Sequence, residues 1–323
     1  MTPLTHARAA QLWVVSPMLR DTESFLRLRT EVLAACDEHA LDRPRFVVVD
    51  DSAGIDPEIA SLTGCADVVV LTTPFSLGHQ RAIVLGLRYL APHLADDDVV
   101  VTMDSDGEDQ PADLPRLVAE LRSSGTALVL ALRTKRSEPL GFRVLYVGFR
   151  VVFRLLTGRT IRSGNFAAQR GDSLIATIDH PSFDLCYSAT LLAMRRPTST
   201  VPCARGRRFA GTSRMNRHAL VAHGMRMLLP FSEAVAVRML VLTAASLVGL
   251  TAYLTLLATG VIGDPFTGAT AAPCIALAVV FLVASIASVV LFSGFSQGSA
   301  IAMKGVAIPR WAASVPGGIR TDT

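Results

Sequence analysis

The sequence predicts an α/β domain with a mostly parallel sheet, continued by an amphipathic interfacial helix and two transmembrane helices. Three observations carry this. Short runs rich in valine and leucine alternate with stretches of helical spacing through the first two-thirds of the chain. Several of these runs stop at Asp or Arg, as buried strands do where the chain turns to solvent. Between Arg238 and Lys304 the only charged side chain is Asp264, which leaves two apolar segments long enough for a hydrocarbon core that needs roughly 20 residues.

The elements follow in order. Leu12 to Ser16 is a short apolar run stopped by Pro17, and Phe25, Leu28, Val32 and Ala35 give Glu23 to His39 a helical stripe. Phe46 to Val49 is a second strand ending at Asp50-Asp51-Ser52, and Val68 to Leu71 is a third. Gly78 to Leu90 is a helix, Val99 to Met103 a fourth strand ending at Asp104, Pro111 to Leu121 a helix, and Ala127 to Leu132 a fifth strand ending at Arg133. Strand and helix in alternation imply right-handed crossovers and a parallel sheet. Asp50, Asp51, Asp104, Asp106 and Arg133 are therefore expected to converge at one sheet edge, where ligands of such sheets collect.

The remainder reads as a membrane unit. Leu220, Val221, Met225, Leu228 and Leu229, interleaved with His218, His223 and Arg226, suggest a helix lying on a leaflet. Met239 to Ile262 and Ala271 to Ser293 form a helical hairpin around residues 263–268. With Arg238, Lys304 and Arg310 outside the apolar segments and no Lys or Arg in the loop, both ends are expected in the cytoplasm. The expected units are residues 1–215, 216–233, 234–303 and a tail of 304–323. Nothing before Pro17 reads as a signal peptide.

Composition narrows the function classes. The five cysteines are scattered with no C-x-x-C pair, which argues against a zinc site or a disulfide framework. The net charge of +4 is modest and Arg clusters between residues 195 and 217, suiting a phosphate or an anionic lipid surface rather than nucleic acid. Asp104-Ser105-Asp106 places two carboxylates one residue apart at a strand end. Such oxygens suit Mg²⁺ or Mn²⁺, which share their shell with substrate phosphates; the same residues also form plain turns and caps.

The motifs V-V-S-P-M-L-R-D (14–21), V-V-D-D-S (48–52), L-G-H-Q-R-A (77–82), M-D-S-D-G-E-D-Q-P (103–111), A-L-R-T-K-R (131–136) and S-G-N-F (163–166), followed by the apolar hairpin, have a known counterpart. In this order they resemble family 2 glycosyltransferases of the GT-A fold, a Rossmann-like nucleotide-sugar domain. Within that family the chain looks like the polyprenyl-phosphate hexose synthases, of the dolichol-phosphate mannose synthase and bacterial undecaprenyl-phosphate glucosyltransferase type. The resemblance implies inverting, metal-dependent transfer of a hexose from a nucleoside diphosphate sugar to polyprenyl (undecaprenyl) phosphate, at the cytoplasmic face of the inner membrane. It implies that Asp104 and Asp106 hold Mg²⁺ or Mn²⁺, that Arg133 and Arg208 serve catalysis, and that Pro17, Asp21, Asp50, Asp51, Asp104 and Glu108 bind the nucleotide sugar. Lys135, Arg136, Ser213 and Arg214 would meet the acceptor phosphate.

This chain departs from the family pattern in places. Pro17-Met18-Leu19-Arg20-Asp21 stands where relatives carry P-x-Y-N-E, Glu108 where they often have Gln, Asn165 where many have Asp, and Met215 where they have Tyr. Two other readings are compatible with the motifs. One is a transferase extending a lipid-linked or polymeric saccharide, with Asp184 as base; the other is a non-catalytic membrane scaffold. The expected partners are the nucleotide sugar, the polyprenyl phosphate and the bilayer, with no nucleic acid; a homo-oligomer stays open.

Overall fold

Strands that are apolar on both faces bury themselves only when helices cover both sides of the sheet. The computed structural model describes residues 10–134, 140–161, 163–211, 217–261 and 268–302. In chain order the elements are β1 (Leu12–Met18), α1 (Thr22–Glu38), β2 (Arg45–Asp50), β3 (Val68–Thr72), α2 (His79–Leu90), β4 (Val99–Thr102), α3 (Leu114–Ser123) and β5 (Leu128–Arg133). There follow α4 (Leu140–Thr157), β6 (Ser163–Arg170), α5 (Gly171–Thr177), α6 (Tyr187–Ala193), β7 (Thr198–Cys203), α7 (Arg217–Leu228), α8 (Ser232–Ala258) and α9 (Gly268–Ala302).

The strands form one sheet in the order β3-β2-β1-β4-β6-β5-β7. All neighbours run parallel except at β6, which is antiparallel to both β4 and β5. Two antiparallel steps restore the direction, so β5 and β7 still point the same way as β4. The strand-end acids and Arg133 therefore share one edge, although β5 stands one strand further from β4 than an all-parallel count implies.

Alternation along the strands sorts the core into two layers. Leu12, Val14, Met18, Phe46, Val48 and Val101 face α1 and α3 through Phe25, Leu28, Val32, Leu114 and Leu117. Trp13, Val15, Val47, Val49 and Val100 face the other side, against Ile83, Leu87, Phe183 and Tyr187. A third cluster, Phe153, Ile161, Cys186, Ala189, Met227, Leu228, Phe231 and Val235, ties α4, α7 and the start of α8 to the domain. Phe153 and Phe231 meet edge to face at 5.4 Å.

Beyond Val235 the character changes. Val237, Leu240, Val241 and Val248 on α8, and Ile275, Val283, Val289 and Val290 on α9, are exposed, an apolar area far beyond what a soluble surface carries. Two helical stretches are long and apolar enough to cross a membrane by length and composition. The helix expected to lie on a leaflet is already partly engaged: Met227 and Leu228 are buried in the domain, while Val221 and Met225 are exposed.

Candidate active site

The site starts from the turn after β2. Asp51 spends both carboxylate oxygens on the loop that leads into α2: Oδ2 accepts from Ser76 Oγ at 2.8 Å and Gly78 N at 2.9 Å, and Oδ1 from Leu77 N at 2.5 Å. Three donors on one carboxylate pin the first turn of α2 against the sheet edge. That turn begins with His79, whose Nε2 lies 3.2 Å from Asp104 Oδ1. Asp50, fully buried, uses Oδ1 to accept from Ser52 N at 3.0 Å, and its Oδ2 has no hydrogen-bond partner among the described residues.

After β4 the chain makes a tight acidic loop, residues 104–109. Asp106 Oδ1 accepts from Glu108 N at 2.9 Å, and its Oδ2 accepts from Arg208 Nη2. Asp109 Oδ2 accepts from Asp104 N at 3.2 Å, and Oδ1 from Arg133 Nη2 at 3.3 Å. Glu108 Oε2 accepts from both Nε and Nη2 of Arg205. The segment after β7 is strung across this loop by backbone bonds, Gly206 N to Glu108 O and Phe209 N to Asp106 O, each 2.8 Å. The approach demands glycine. Gly107 has φ +84° with the Phe209 ring 2.7 Å from where a Cβ would stand, and a Cβ on Gly206 would lie 2.3 Å from Gly107 O.

So many acids in one desolvated place perturb one another. Burial and the charge of Asp104 push the Asp106 carboxyl up to about 6 against the pull of Arg208. Burial, with Asp104 again, raises Asp109, with Arg133 opposing. Asp104 goes the other way: burial would raise it, but the charges on His79 and Arg133 outweigh that and hold it well below the usual carboxylate range. Burial pulls the His79 imidazole down, yet Asp104, Asp106 and Asp109 more than offset it and raise it.

A divalent cation suits this donor set on one observation. Asp104 Oδ1 is buried and has no aligned hydrogen bond among the described residues. Also among the described residues, no three His, Cys, Asp or Glu side chains converge as a protein-only cage. Such a site fits an ion that takes one or two carboxylates and completes its shell with diphosphate oxygens and water.

The structure sorts the expected residues. Asp104, Asp106, Glu108, Arg133 and Arg208 come together around the acidic loop. Asp51 organises the α2 entrance, and Asp50, the last residue of β2, keeps an oxygen with no hydrogen-bond partner among the described residues. Pro17 is buried within β1, and Asp21 sits at the start of α1, accepting from Ser24 Oγ at 3.3 Å. Asp184, the base of the saccharide-extension reading, pairs with Arg88 through bonds of 2.6 and 3.0 Å. Lys135, Arg136, Ser213 and Arg214, like the Asp264 turn, Lys304 and Arg310, lie outside the described residues. Sequence reasoning gave no role to His79, Gln80, Asp109 or Arg205. The first three stood inside motifs already noted, L-G-H-Q-R-A and M-D-S-D-G-E-D-Q-P.

A sheet edge built this way, with an acid loop crossed by arginines, defines a class, and comparison with known proteins names it. The model of the family described as glycosyl transferase family 2 matches residues 22–185, half of the chain, and the chain belongs to that family. Among its relatives is the undecaprenyl-phosphate 4-deoxy-4-formamido-L-arabinose transferase of Pectobacterium atrosepticum, 28% identical over 153 residues, covering 46% of this chain and 44% of the relative. The enzyme of the same name from Pseudomonas fluorescens is 27% identical over 222 residues, covering 66% and 57%. The chain spans about half the length of the curated relatives it matches. Among solved structures, glucosyl-3-phosphoglycerate synthase of Mycobacterium tuberculosis, in complex with Mn²⁺ and UDP-glucose, aligns with a TM-score of 0.48 and 17% identity, covering 70% of this chain and 79% of that one.

Proposed function

We propose that the protein transfers a hexose, with inversion, from a nucleoside diphosphate sugar to polyprenyl (undecaprenyl) phosphate at the cytoplasmic face of the membrane. The observation that carries this is the acidic loop at the sheet edge, crossed by Arg133, Arg205 and Arg208, on a chain that continues into two helices long and apolar enough to span a bilayer. The transferases it resembles by sequence carry undecaprenyl phosphate in their names, which supports that acceptor class.

In this reading Asp50 and the turn after β2 receive the nucleoside, and Asp104 with Asp106 would hold Mg²⁺ or Mn²⁺. When bound, the ion neutralises charge building on the leaving diphosphate. Arg208, paired here with Asp106, would offer its donors to a phosphate oxygen of the nucleotide sugar. Arg133 stays on Asp109 and aims its remaining donors at the phosphates. The acceptor phosphate is already an anion near neutral pH and attacks the anomeric carbon without a strong base, so orientation and fixed charge supply most of the rate. That fits a site in which Asp184, the base of the saccharide-extension reading, is tied up by Arg88. Residues 1–215 would form the transferase unit, 216–233 the leaflet contact, 234–303 the hairpin and 304–323 a cytoplasmic tail.

The test is incubation of the purified full chain with a panel of nucleotide sugars, undecaprenyl phosphate and Mn²⁺ or Mg²⁺, read by mass spectrometry of the lipid. One donor should yield a glycosylated lipid phosphate; no lipid product with any donor sinks the proposal.

A further inference from the structure

The helix that links two strands of the site is apolar on both of its sides. β5 ends at Arg133, β6 begins at Ser163, and α4 is the excursion between them, so whatever holds α4 also holds the catalytic edge. Its inner side is packed: Phe153 is fully buried and meets Phe149 at 5.9 Å and Phe231 at 5.4 Å between ring centroids, with Leu156 beside them. The outer side carries Val147, Val151 and Leu155 at four-residue spacing and Val152 next to them, from 48% exposed at Val152 to 69% at Leu155. At about 3.6 residues per turn these lie opposite Phe149, Phe153 and Leu156. A helix on a soluble surface turns polar residues outward, whereas this one has a second apolar surface to cover.

Two observations point to what covers it. The first is charge. α4 carries Arg143, Arg150 and Arg154 and no acid, which suits an anionic lipid surface. The second is height. Arg238 on α8 donates from Nη1 to Leu156 O, one of the last-turn carbonyls for which a helix has no internal partner. Gly158, just past α4, has φ +73°, and a Cβ there would lie 2.9 Å from Arg238 Nη2, so the guanidinium uses the space that glycine leaves. This ties the C-terminal end of α4 to the level at which α8 starts to expose apolar side chains, at Val237, Leu240 and Val241.

We propose that α4 is a second membrane contact: Val147, Val151, Val152 and Leu155 lie in the cytoplasmic leaflet, at the boundary between acyl chains and anionic headgroups, with Arg150 and Arg154 along the edge of that face at the phosphates. This rests on the membrane reading of α8 and α9 given above. The sequence pattern gives the leaflet contact to α7, but α7 spends Met227 and Leu228 on the domain and crosses α4 at Gly224, where a Cβ would lie 3.0 Å from the Phe149 ring. The larger outward apolar face is on α4. Because α4 runs from the strand of Arg133 to the strand of Asn165, seating it in the leaflet brings the site to the height of a lipid phosphate.

The test uses the full chain in nanodiscs of phosphatidylcholine and phosphatidylglycerol, with the half-buried Cys65 and Cys274 changed to serine and the buried Cys36, Cys186 and Cys203 kept. A nitroxide is attached in turn at Val147→Cys, Val151→Cys and Leu155→Cys, at Val248→Cys on α8 as the lipid reference, and at Ser123→Cys on α3 as the water reference. All five positions are exposed, so no core is lost. Power-saturation electron paramagnetic resonance with oxygen, which concentrates in lipid, and with a water-soluble nickel chelate reads the depth of each label. The three α4 labels should follow Val248, with an oxygen-to-nickel ratio several-fold above that at Ser123. If they follow Ser123 while Val248 reads as lipid, the proposal is overturned and the spanning helices stand. Labels shielded from both reagents and broadened by a second nitroxide would also overturn it, since a second copy of the chain would then cover the face. A Val248 label that reads as water would overturn the membrane reading and this proposal with it.

Discussion

Replacing Asp106 with Asn removes a charge that the folded state holds at a cost. Burial and the neighbouring Asp104 push its carboxyl from 3.8 to about 6. Because the folded value lies above the unfolded one, the folded state binds more protons between these values, and stability falls as pH rises through about 6. One pKa unit corresponds to about 1.4 kcal/mol, so ionised Asp106 costs the fold up to roughly 3 kcal/mol. Its side chain is 12% exposed, so screening removes little of this, but Asp106→Asn also strips Arg208 of its partner. The expected gain is therefore about 1–3 kcal/mol above pH 6, seen as a rise in Tm of roughly 3–9 °C for a domain of this size. Thermal unfolding of the full chain in detergent with chelator, near pH 8 and again below pH 4, reads it. At the acid pH wild type is itself protonated and the difference should vanish. Transfer should be lost at both. A variant that melts lower near pH 8, or that keeps the same difference in acid, would refute the reasoning.

Three further outcomes follow from the packing. Asp184→Asn leaves the nearly buried Arg88, with a side chain 8% exposed, without its charge partner, which should cost about 3–5 kcal/mol in denaturant unfolding while kcat stays within a few-fold of wild type; a collapse of kcat in a folded variant would restore Asp184 as a base. Gly206→Ala drives a methyl into Gly107 O and should cost about 1–3 kcal/mol and raise KM for the nucleotide sugar, whereas unchanged kinetics would mean that the arginine segment does not shape the site. In a cysteine-free background, a cysteine placed at Thr267 should react with an impermeant reagent from outside the cell and one at Thr321 should not, the reverse pattern placing the catalytic domain on the wrong side.

Much of this architecture is legible because burial on both faces leaves an unmistakable trace. Val47 to Val49 and Val99 to Val101 are continuous apolar runs, and each becomes a central strand with little exposed surface. The strand Ser163–Arg170 leaves no such trace, since S-G-N-F-A-A-Q-R contains no β-branched residue and β-propensity reflects packing more than intrinsic preference. Missing it hides the two antiparallel pairings inside a mostly parallel sheet. The helix read as Pro111 to Leu121 begins at Leu114, after a separate single turn over Pro111–Asp113. Within the site, strand-end position announces Asp104 and Asp106. Their partners His79, Asn165 and Arg208 come from elements that only the folded sheet brings near. The dual pattern of Asp50-Asp51-Ser52 shows the limit most clearly: adjacent acids in one motif divide their tasks, one pinning the α2 entrance and the other keeping an unshared oxygen.

On the proposed reading, the acidic loop at the sheet edge transfers sugar to a lipid phosphate. This transfer is tested most directly in nanodiscs where undecaprenyl phosphate is the sole acceptor, with the preferred nucleotide sugar and Mn²⁺, comparing the full chain with Asp104→Asn. Wild type should convert the lipid to a glycosylated phosphate and release one nucleoside diphosphate per product, and the folded variant should do neither. Equal conversion by Asp104→Asn, or nucleoside diphosphate release with no sugar on the lipid, would contradict the account.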